Sequence, residues 1–375
     1  MEGPIPFARS HAFQIDLHPL PSPTLFGMVQ IGILGTGFMA VQHLKAYARL
    51  PDARVVALCN PSGRNLDGNF AGIAGNVGDG AVPQLDMASV LAYRDPGELF
   101  ADQRIDLIDI CTPTKTHVAH CLGALASGKH VLVEKPIART SLDARRIAKA
   151  AALAGERGRY LMPAMCIRFW PEYRWLKQAI VDGRYGRVLD ARFRRVAQAP
   201  SWGHGHFLQG TESGGALFDL HIHDVDFAQY CFGRPQRITA SGYSKVSGAI
   251  DHVLALYHYP GGPVVSLEGS WAMTDGFGFN MAFTVNFEHA TVDFDSGRGN
   301  EALRLFIAGR PVEILQPPGT DGYVGEIGYF LAAIQSGIPP TIVTPIDAVS
   351  SLELCETEER SIREGVSIEV GTCAP

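Results

Sequence analysis

The sequence predicts two domains. The first is an α/β domain built on a doubly wound parallel sheet, and the second is an α+β domain with a large open, mostly antiparallel sheet. Three observations lead there. From Met28 onward, short apolar runs alternate with helical stretches, the pattern of parallel strands joined by crossover helices. A glycine turn, Gly35-Thr36-Gly37-Phe38-Met39-Ala40, closes the first apolar run and opens the first helical stretch. After about residue 158 the texture changes to successive strand-like runs parted by Gly, Pro, Asn and Asp turns, with few helices among them. A chain of 375 residues is too long for one ordinary core and comfortable for two.

Residues 1–27 are rich in proline and lack a strand or helix period. They have no basic stretch followed by an apolar core, so they make a poor signal peptide. They read as an extra arm, flexible or used in assembly, or as an over-long assigned start. Residues 29–34 are mostly apolar and uncharged, as a buried strand requires. A helix is expected over 38–50 and a strand over 54–59. A further strand follows at 106–111, then a helix over 116–127. Gly128 turns the chain into a strand at 130–133, and 141–155 is helical. The first domain spans 28–158, with its last strand running to about 166. In the second domain (159–375), strands are expected at 187–196, 237–245, 253–259, 263–272, 281–287 and 291–294. A helix over 345–364 nearly closes the chain, with Thr344 as its cap and Pro345 in its first turn.

Composition narrows the function. Hydrophobic residues make up 46% and charged residues 19%, as expected of a folded globular protein. A net charge of -6 argues against a non-specific nucleic-acid binder, which needs a basic surface. No apolar run reaches the roughly eighteen residues of a membrane span. The seven cysteines are scattered and form no C-x-x-C pair, which supports neither a disulfide framework nor a zinc ribbon. Free thiols in a reducing compartment, the cytoplasm, are the expectation.

The glycine turn fits a dinucleotide. Gly35 permits the tight turn, Gly37 lets the backbone approach a pyrophosphate, and Ala40 is small enough for helix–strand packing. The helix start offers free N–H groups to the phosphates. The second strand ends at Cys59-Asn60-Pro61-Ser62-Gly63-Arg64. An NAD-selective enzyme usually has an acid there for the ribose hydroxyls. This chain has neutral Asn60, and Ser62 with Arg64 suits a 2′-phosphate, so the expectation leans to NADP over NAD. Thr112 and Pro113 end a later strand and should border the cofactor. Glu134 and Lys135 end the next strand on the same edge.

Five motifs in this order carry a resemblance: the glycine turn; Thr112-Pro113-x-x-x-His117; Gly128-Lys129-His130-Val131-Leu132-Val133-Glu134-Lys135-Pro136; Arg168-Phe169; and Gly214-Gly215-x-Leu217-x-Asp219-x-x-x-His223-x-x-Asp226. With them, the chain resembles the glucose-fructose oxidoreductase/inositol dehydrogenase/rhizopine catabolism (Gfo/Idh/MocA) family over nearly everything from Met28 on. The resemblance implies a Rossmann domain with an open-sheet partner, a nicotinamide cofactor and a sugar, inositol or related polyol substrate. It implies a homodimer or homotetramer, with no nucleic acid, membrane or metal. Asn60 and the first 27 residues depart from the family's pattern. The cofactor site implied comprises Gly35, Thr36, Gly37, Phe38, Met39, Asn60, Ser62, Arg64, Thr112, Pro113, His117, Glu134, Lys135 and Arg168.

Oxidising a secondary alcohol needs a hydride acceptor and a group that takes the proton, most often histidine. On a single helix starting near Ala216, Asp219, His223 and Asp226 fall at i, i+4 and i+7 and share one face. His221 then lies about 200° from His223 and faces elsewhere. That placement also argues against a His221-x-His223 metal pair. The resemblance implies catalytic roles for Lys135, Asp219 and His223: Lys135 against developing charge on oxygen, His223 as base, and Asp219 orienting. Asp226 reads as helix surface or support. Arg168 touches substrate or cofactor, or makes an interdomain ion pair. Trp202, His204 and His206 sit in a glycine-containing loop as a lid or sugar-stacking wall, while Trp271 reads as core or subunit interface. The resemblance leaves two alternatives to a dehydrogenase: a glycosidase using transient redox, and a non-catalytic cofactor sensor.

Overall fold

The computed structural model describes residues 27–70, 72–73, 75, 85–200 and 205–371. The proline-rich arm, save its last residue, therefore lies outside the described residues. β1 (Val29–Leu34) is almost wholly buried at the centre of the first sheet. It leads through Gly35–Gly37 into α1 (Phe38–Tyr47) and on to β2 (Ala53–Cys59), parallel to β1. A short exposed strand β3 (Leu91–Tyr93) and α2 (Pro96–Ala101) precede β4 (Leu107–Ile110). Then come α3 (His117–Ala126), β5 (His130–Glu134), α4 (Ser141–Gly155) and β6 (Leu161–Ala164). The six strands lie in the order β3-β2-β1-β4-β5-β6, all parallel. Between β1 and β4 the winding reverses, and ligands bind outside the carboxyl ends of the strands at such a point.

The chain crosses through α5 (Pro171–Val181) into β7 (Val188–Gln198). Three helical segments follow: α6 (Gly210–Ser213), α7 (Gly215–Asp219) and α8 (Ile222–Phe232). The second sheet continues with β8 (Arg237–Tyr243), β9 (His252–His258), β10 (Val264–Met273), β11 (Phe279–Phe287), β12 (Thr291–Asp295), β13 (Leu303–Phe306) and β14 (Glu313–Leu315). α9 (Gly322–Ser336), α10 (Pro345–Glu364) and β15 (Ile368–Glu369) complete it. The nine strands are ordered β14-β13-β12-β11-β7-β10-β9-β8-β15. Every pairing is antiparallel except the central β7–β10 pair, which is parallel. The inner face carries an aromatic cluster in which Tyr173 packs edge-on against Phe227, Phe283 and Phe294. The outer face stays open, and β9 exposes Leu254 and Leu256 between inward Val253, Ala255 and Tyr257.

Most expected elements lie where the sequence places them, and two differences have physical causes. α5 and α9 fall outside the expected helices. α9 is apolar on most sides and buried at Gly322, Val324, Glu326, Ile327, Gly328, Phe330, Leu331 and Ala333, so it carries no amphipathic stripe. The single helix expected across 216–230 is two helices. The His221 N–H bonds to Ala216 O, one residue beyond the α-helical partner, and α8 starts afresh after it. The parallel sheet closes with β6, within the reach to about residue 166 expected of its last strand.

α10 has the start and cap expected of it. Thr344 Oγ1 accepts the Asp347 N–H at 3.2 Å while Asp347 Oδ2 accepts the Thr344 N–H at 2.8 Å, a reciprocal capping box. Replacing Thr344 with Ala removes half of it and is expected to lower stability by about 1 kcal/mol in urea unfolding, with the m-value unchanged.

Candidate active site

The cofactor cradle is built from backbone first. Gly35 has φ +96°, and a Cβ there would lie 2.6 Å from the Cys111 carbonyl oxygen. Only glycine permits β1 and β4 to approach this closely at their ends. Gly37 caps α1 without any side-chain bond to the helix N–H groups, and the first turn carries no acid. A Cβ on Gly37 would meet nothing within 4 Å. An open helix end with free donors and a favourable dipole fits a dinucleotide pyrophosphate. Phe38 and Met39, partly buried, form the first turn.

Asn60 ties the neighbouring loop to this turn. Its Nδ2 donates to Thr36 Oγ1 at 2.7 Å, and its Oδ1 accepts from Ser62 N and Oγ at 3.0 and 2.9 Å. Thr36 Oγ1 in turn donates to Arg64 O at 2.8 Å. Arg64 Nε donates to Ser62 Oγ at 3.1 Å, and both residues are exposed. β3 brings in a residue absent from the sequence reading, Arg94. Its guanidinium lies over Gly63, where a Cβ would come within 2.6 Å of it. Two arginines thus flank the turn that ends β2. The signal for Arg94 was weak because β3 is a short, exposed edge strand.

The reacting edge follows from β5. Lys135 Nζ donates to the Asp219 carbonyl at 2.6 Å and to Asp219 Oδ1 at 3.2 Å. These side chains retain 14% and 21% exposure, so the pair is sheltered yet reachable. His223 enters from the first turn of α8. Its Nδ1 is buried and has no hydrogen-bond partner among the described residues. Burial first, then the Lys135 and Arg195 cations, push its pKa well below the ordinary histidine value. The ring is therefore neutral near pH 7 and able to accept a proton. Arg195 is fixed behind it by a buried pair with Asp224, at 2.8 and 3.1 Å. The structure brings Lys135, Asp219 and His223 together although their helix is broken.

Comparison with known proteins identifies the family to which both domains belong. Residues 29–162 match the model of an oxidoreductase family with an NAD-binding Rossmann fold. Residues 173–293 match the GFO/IDH/MocA C-terminal domain. The chain belongs to the Gfo/Idh/MocA family. It is 28% identical to the inositol 2-dehydrogenase of Rhizobium meliloti, over 91% of this chain and 99% of that protein. It is 26% identical to the NAD⁺-dependent scyllo-inositol 2-dehydrogenase of Bacillus subtilis, over 91% and 96%. A levoglucosan dehydrogenase solved with NADH and levoglucosan has the same fold, with TM-score 0.78 and 19% identity over 92% of this chain and all (100%) of that one. The protein is a nicotinamide-dependent oxidoreductase acting on CH–OH groups. Among the described residues, no helix is long and apolar enough to cross a membrane.

Within this family site, several expected contacts take other parts. Asp226 does not join Asp219 and His223. It is buried against Arg168, whose Nε and a terminal nitrogen each donate to it at 2.7 Å. Arg168 also donates to Ile342 O at 2.6 Å and lies over the Tyr230 ring, at 3% exposure. Its guanidinium is engaged inside the protein, so the ion-pair reading replaces the cofactor or substrate contact. His117 is 1% exposed, with its ring nitrogens 2.9 Å from Pro136 O and 2.8 Å from Thr112 O. It braces one cofactor loop against the other instead of reaching the cofactor. Glu134 turns inward, accepting from the Lys135 N–H at 3.0 Å, and so does not face a cofactor. Thr112 holds its own loop, with Oγ1 accepting from Thr116 at 2.8 Å, next to exposed Pro113. His221 faces away from His223, 3.1 Å from Glu358 in α10. Trp271 is core, donating to Asp251 Oδ1 at 2.6 Å. Trp202, His204 and the side chain of His206 lie outside the described residues.

Replacing Arg168 with Leu strands the Asp226 carboxylate in the interior. The expected cost is about 3–5 kcal/mol in denaturant unfolding. An intact stability with weakened cofactor binding would instead restore Arg168 to the cofactor site.

Proposed function

We propose that this oxidoreductase moves hydride between NADP and a secondary alcohol or carbonyl of a sugar, inositol or related polyol. The observation that carries the reading is the paired Lys135 and Asp219 beside neutral His223, at the carboxyl edge of the parallel sheet. The bound nicotinamide supplies the hydride acceptor. The Lys135 ammonium contacts the reacting oxygen and stabilises the negative charge that develops there. His223 takes the hydroxyl proton during oxidation and returns it during reduction. Asp219 keeps the ammonium aimed and orients the substrate. The inositol dehydrogenases among the relatives support a ring polyol as substrate.

NADP is favoured by the loop after β2. Asn60 brings no carboxylate to the ribose, and Ser62, Arg64 and Arg94 gather donors suited to a 2′-phosphate. The open face of the second sheet, with Leu254, Leu256 and Val264 exposed, supports assembly into a homodimer or homotetramer. The buried free thiols Cys59, Cys121, Cys166 and Cys355 support a reducing compartment, the cytoplasm.

Turnover of an inositol or aldose substrate by His223→Asn and Lys135→Met is expected to fall by about 10²–10⁴-fold, with cofactor binding retained. Unchanged turnover removes the residue from the mechanism. Fluorescence titration of cofactor-stripped protein is expected to show NADPH bound tighter than NADH. Arg64→Ala and Arg94→Ala should each cost NADPH about tenfold and leave NADH unaffected. A wild-type preference for NADH would overturn the assignment of NADP.

A further inference from the structure

Beneath Lys135 lies a buried cluster of acids that the reaction as drawn does not use. His43, from the middle of α1, is fully buried at its centre. Its Nδ1 is 2.8 Å from Asp109 Oδ2 on β4, and its Nε2 is 3.1 Å from Glu134 Oε1 on β5. A neutral imidazole has one N–H and can donate to only one of these carboxylates, whereas an imidazolium donates to both. Burial is the largest influence and works against the charged ring, yet Asp109 and Cys111 together outweigh it and hold the pKa well above the ordinary value. Asp109 is fixed from other sides by the Tyr47 hydroxyl at 2.9 Å and the Cys111 thiol at 3.5 Å. From α9, Tyr323 packs its ring against His43, and fully buried Glu326 acts on the same charges. Neither Glu326 oxygen has a partner among the described residues; burial first, opposed by His43 and reinforced by Glu134, Asp109 and Asp321, raises its pKa well above the ordinary carboxylate value and favours the protonated acid.

The cluster connects directly to the reacting lysine. One oxygen of Glu134 faces His43, and the other accepts the Lys135 backbone N–H at 3.0 Å. The same lysine then reaches Asp219 with its Nζ. A continuous line thus runs from α1 through Glu134 at the end of β5 and Lys135 just after it to the helix that carries the substrate side.

We propose that His43 is a positioning residue for catalysis: as an imidazolium clamped between Asp109 and Glu134, it keeps the Glu134 carboxylate turned onto the Lys135 N–H, and so sets the Lys135 ammonium against the reacting oxygen. This rests on the catalytic reading of Lys135. His43 touches neither substrate nor cofactor, and its effect passes through Glu134.

The test uses the full-length protein with cofactor and an active polyol substrate. It compares His43→Gln, Glu134→Gln, the double variant, Glu326→Gln and Lys135→Met. His43→Gln and Glu134→Gln should each lower kcat by about 10–100-fold, with KM and cofactor affinity within about threefold. The double variant should be no slower than the slower single one, because both changes break one line of contact. Glu326→Gln replaces an already neutral acid by a near-isostere and should keep kcat within about twofold. A His43→Gln enzyme with wild-type kcat, beside an inactive Lys135→Met, overturns the clamp and spares the lysine. An active Lys135→Met overturns the catalytic reading itself. Additive losses, or a Glu326→Gln loss as large as that of His43→Gln, overturn the clamp in favour of packing. If His43→Gln fails to fold, Glu134→Gln decides alone, and its wild-type kcat overturns the proposal.

Discussion

The contact between Lys135 and Asp219 is the constraint around which the molecule is arranged. One partner ends a parallel strand and the other ends a short helix in the domain carrying the open sheet. In the proposed mechanism neither domain makes an active centre alone: each supplies half of it, and the halves meet because the chain crosses at β6 and α5. The ammonium donates to a backbone carbonyl as well as a carboxylate, so its direction is set by main chain on both sides. That is a stiffer arrangement than an ion pair between two long side chains, and preorganised charge is what stabilising an alkoxide requires.

Charge is handled differently on either side of this contact. In the second domain two buried cations have matched acids, Arg168 with Asp226 and Arg195 with Asp224, each with at least two close hydrogen bonds. Under the Rossmann sheet, acids outnumber bases: Asp109, Glu134 and Glu326 surround His43. Such a set persists only if one acid keeps its proton and the histidine takes one. The matched pairs fix the geometry, whereas the unmatched cluster makes the ionisation of one residue depend on the others.

Much of this was legible in the sequence where local chemistry decides structure. Thr344 and Pro345 announced α10 because a cap and a first-turn proline act within one turn. Gly35 and Gly37 announced the cradle because a tight turn needs them. The alternation after residue 158 announced an open sheet because each strand hides only one face. The parallel pairing of β7 with β10 was not legible, since it joins strands that are far apart in sequence. α9 was hidden because a helix buried on most sides loses its period. The break after Asp219 was hidden because both flanking segments remain helical in their dihedrals. Of the site, Lys135, Asp219 and His223 came from motif and chemistry. His43 and Arg94 did not, because their significance lies in neighbours reached only through the fold.

The C-terminal helices have a consequence for how the protein is made. α9 sets Glu326 and Tyr323 under α1, and α10 binds the start of α4 through Glu356, whose carboxylate accepts from Ser141 N and Oγ at 2.7 and 2.6 Å. Segments synthesised later therefore finish the surface of the first domain. A ribosome releases the Rossmann half long before those helices exist, with the faces of α1 and α4 still uncovered. The cofactor domain is thus an unfinished module until those helices are made, and a cut at the domain boundary would yield a fragment with an exposed apolar flank, not an autonomous nucleotide binder.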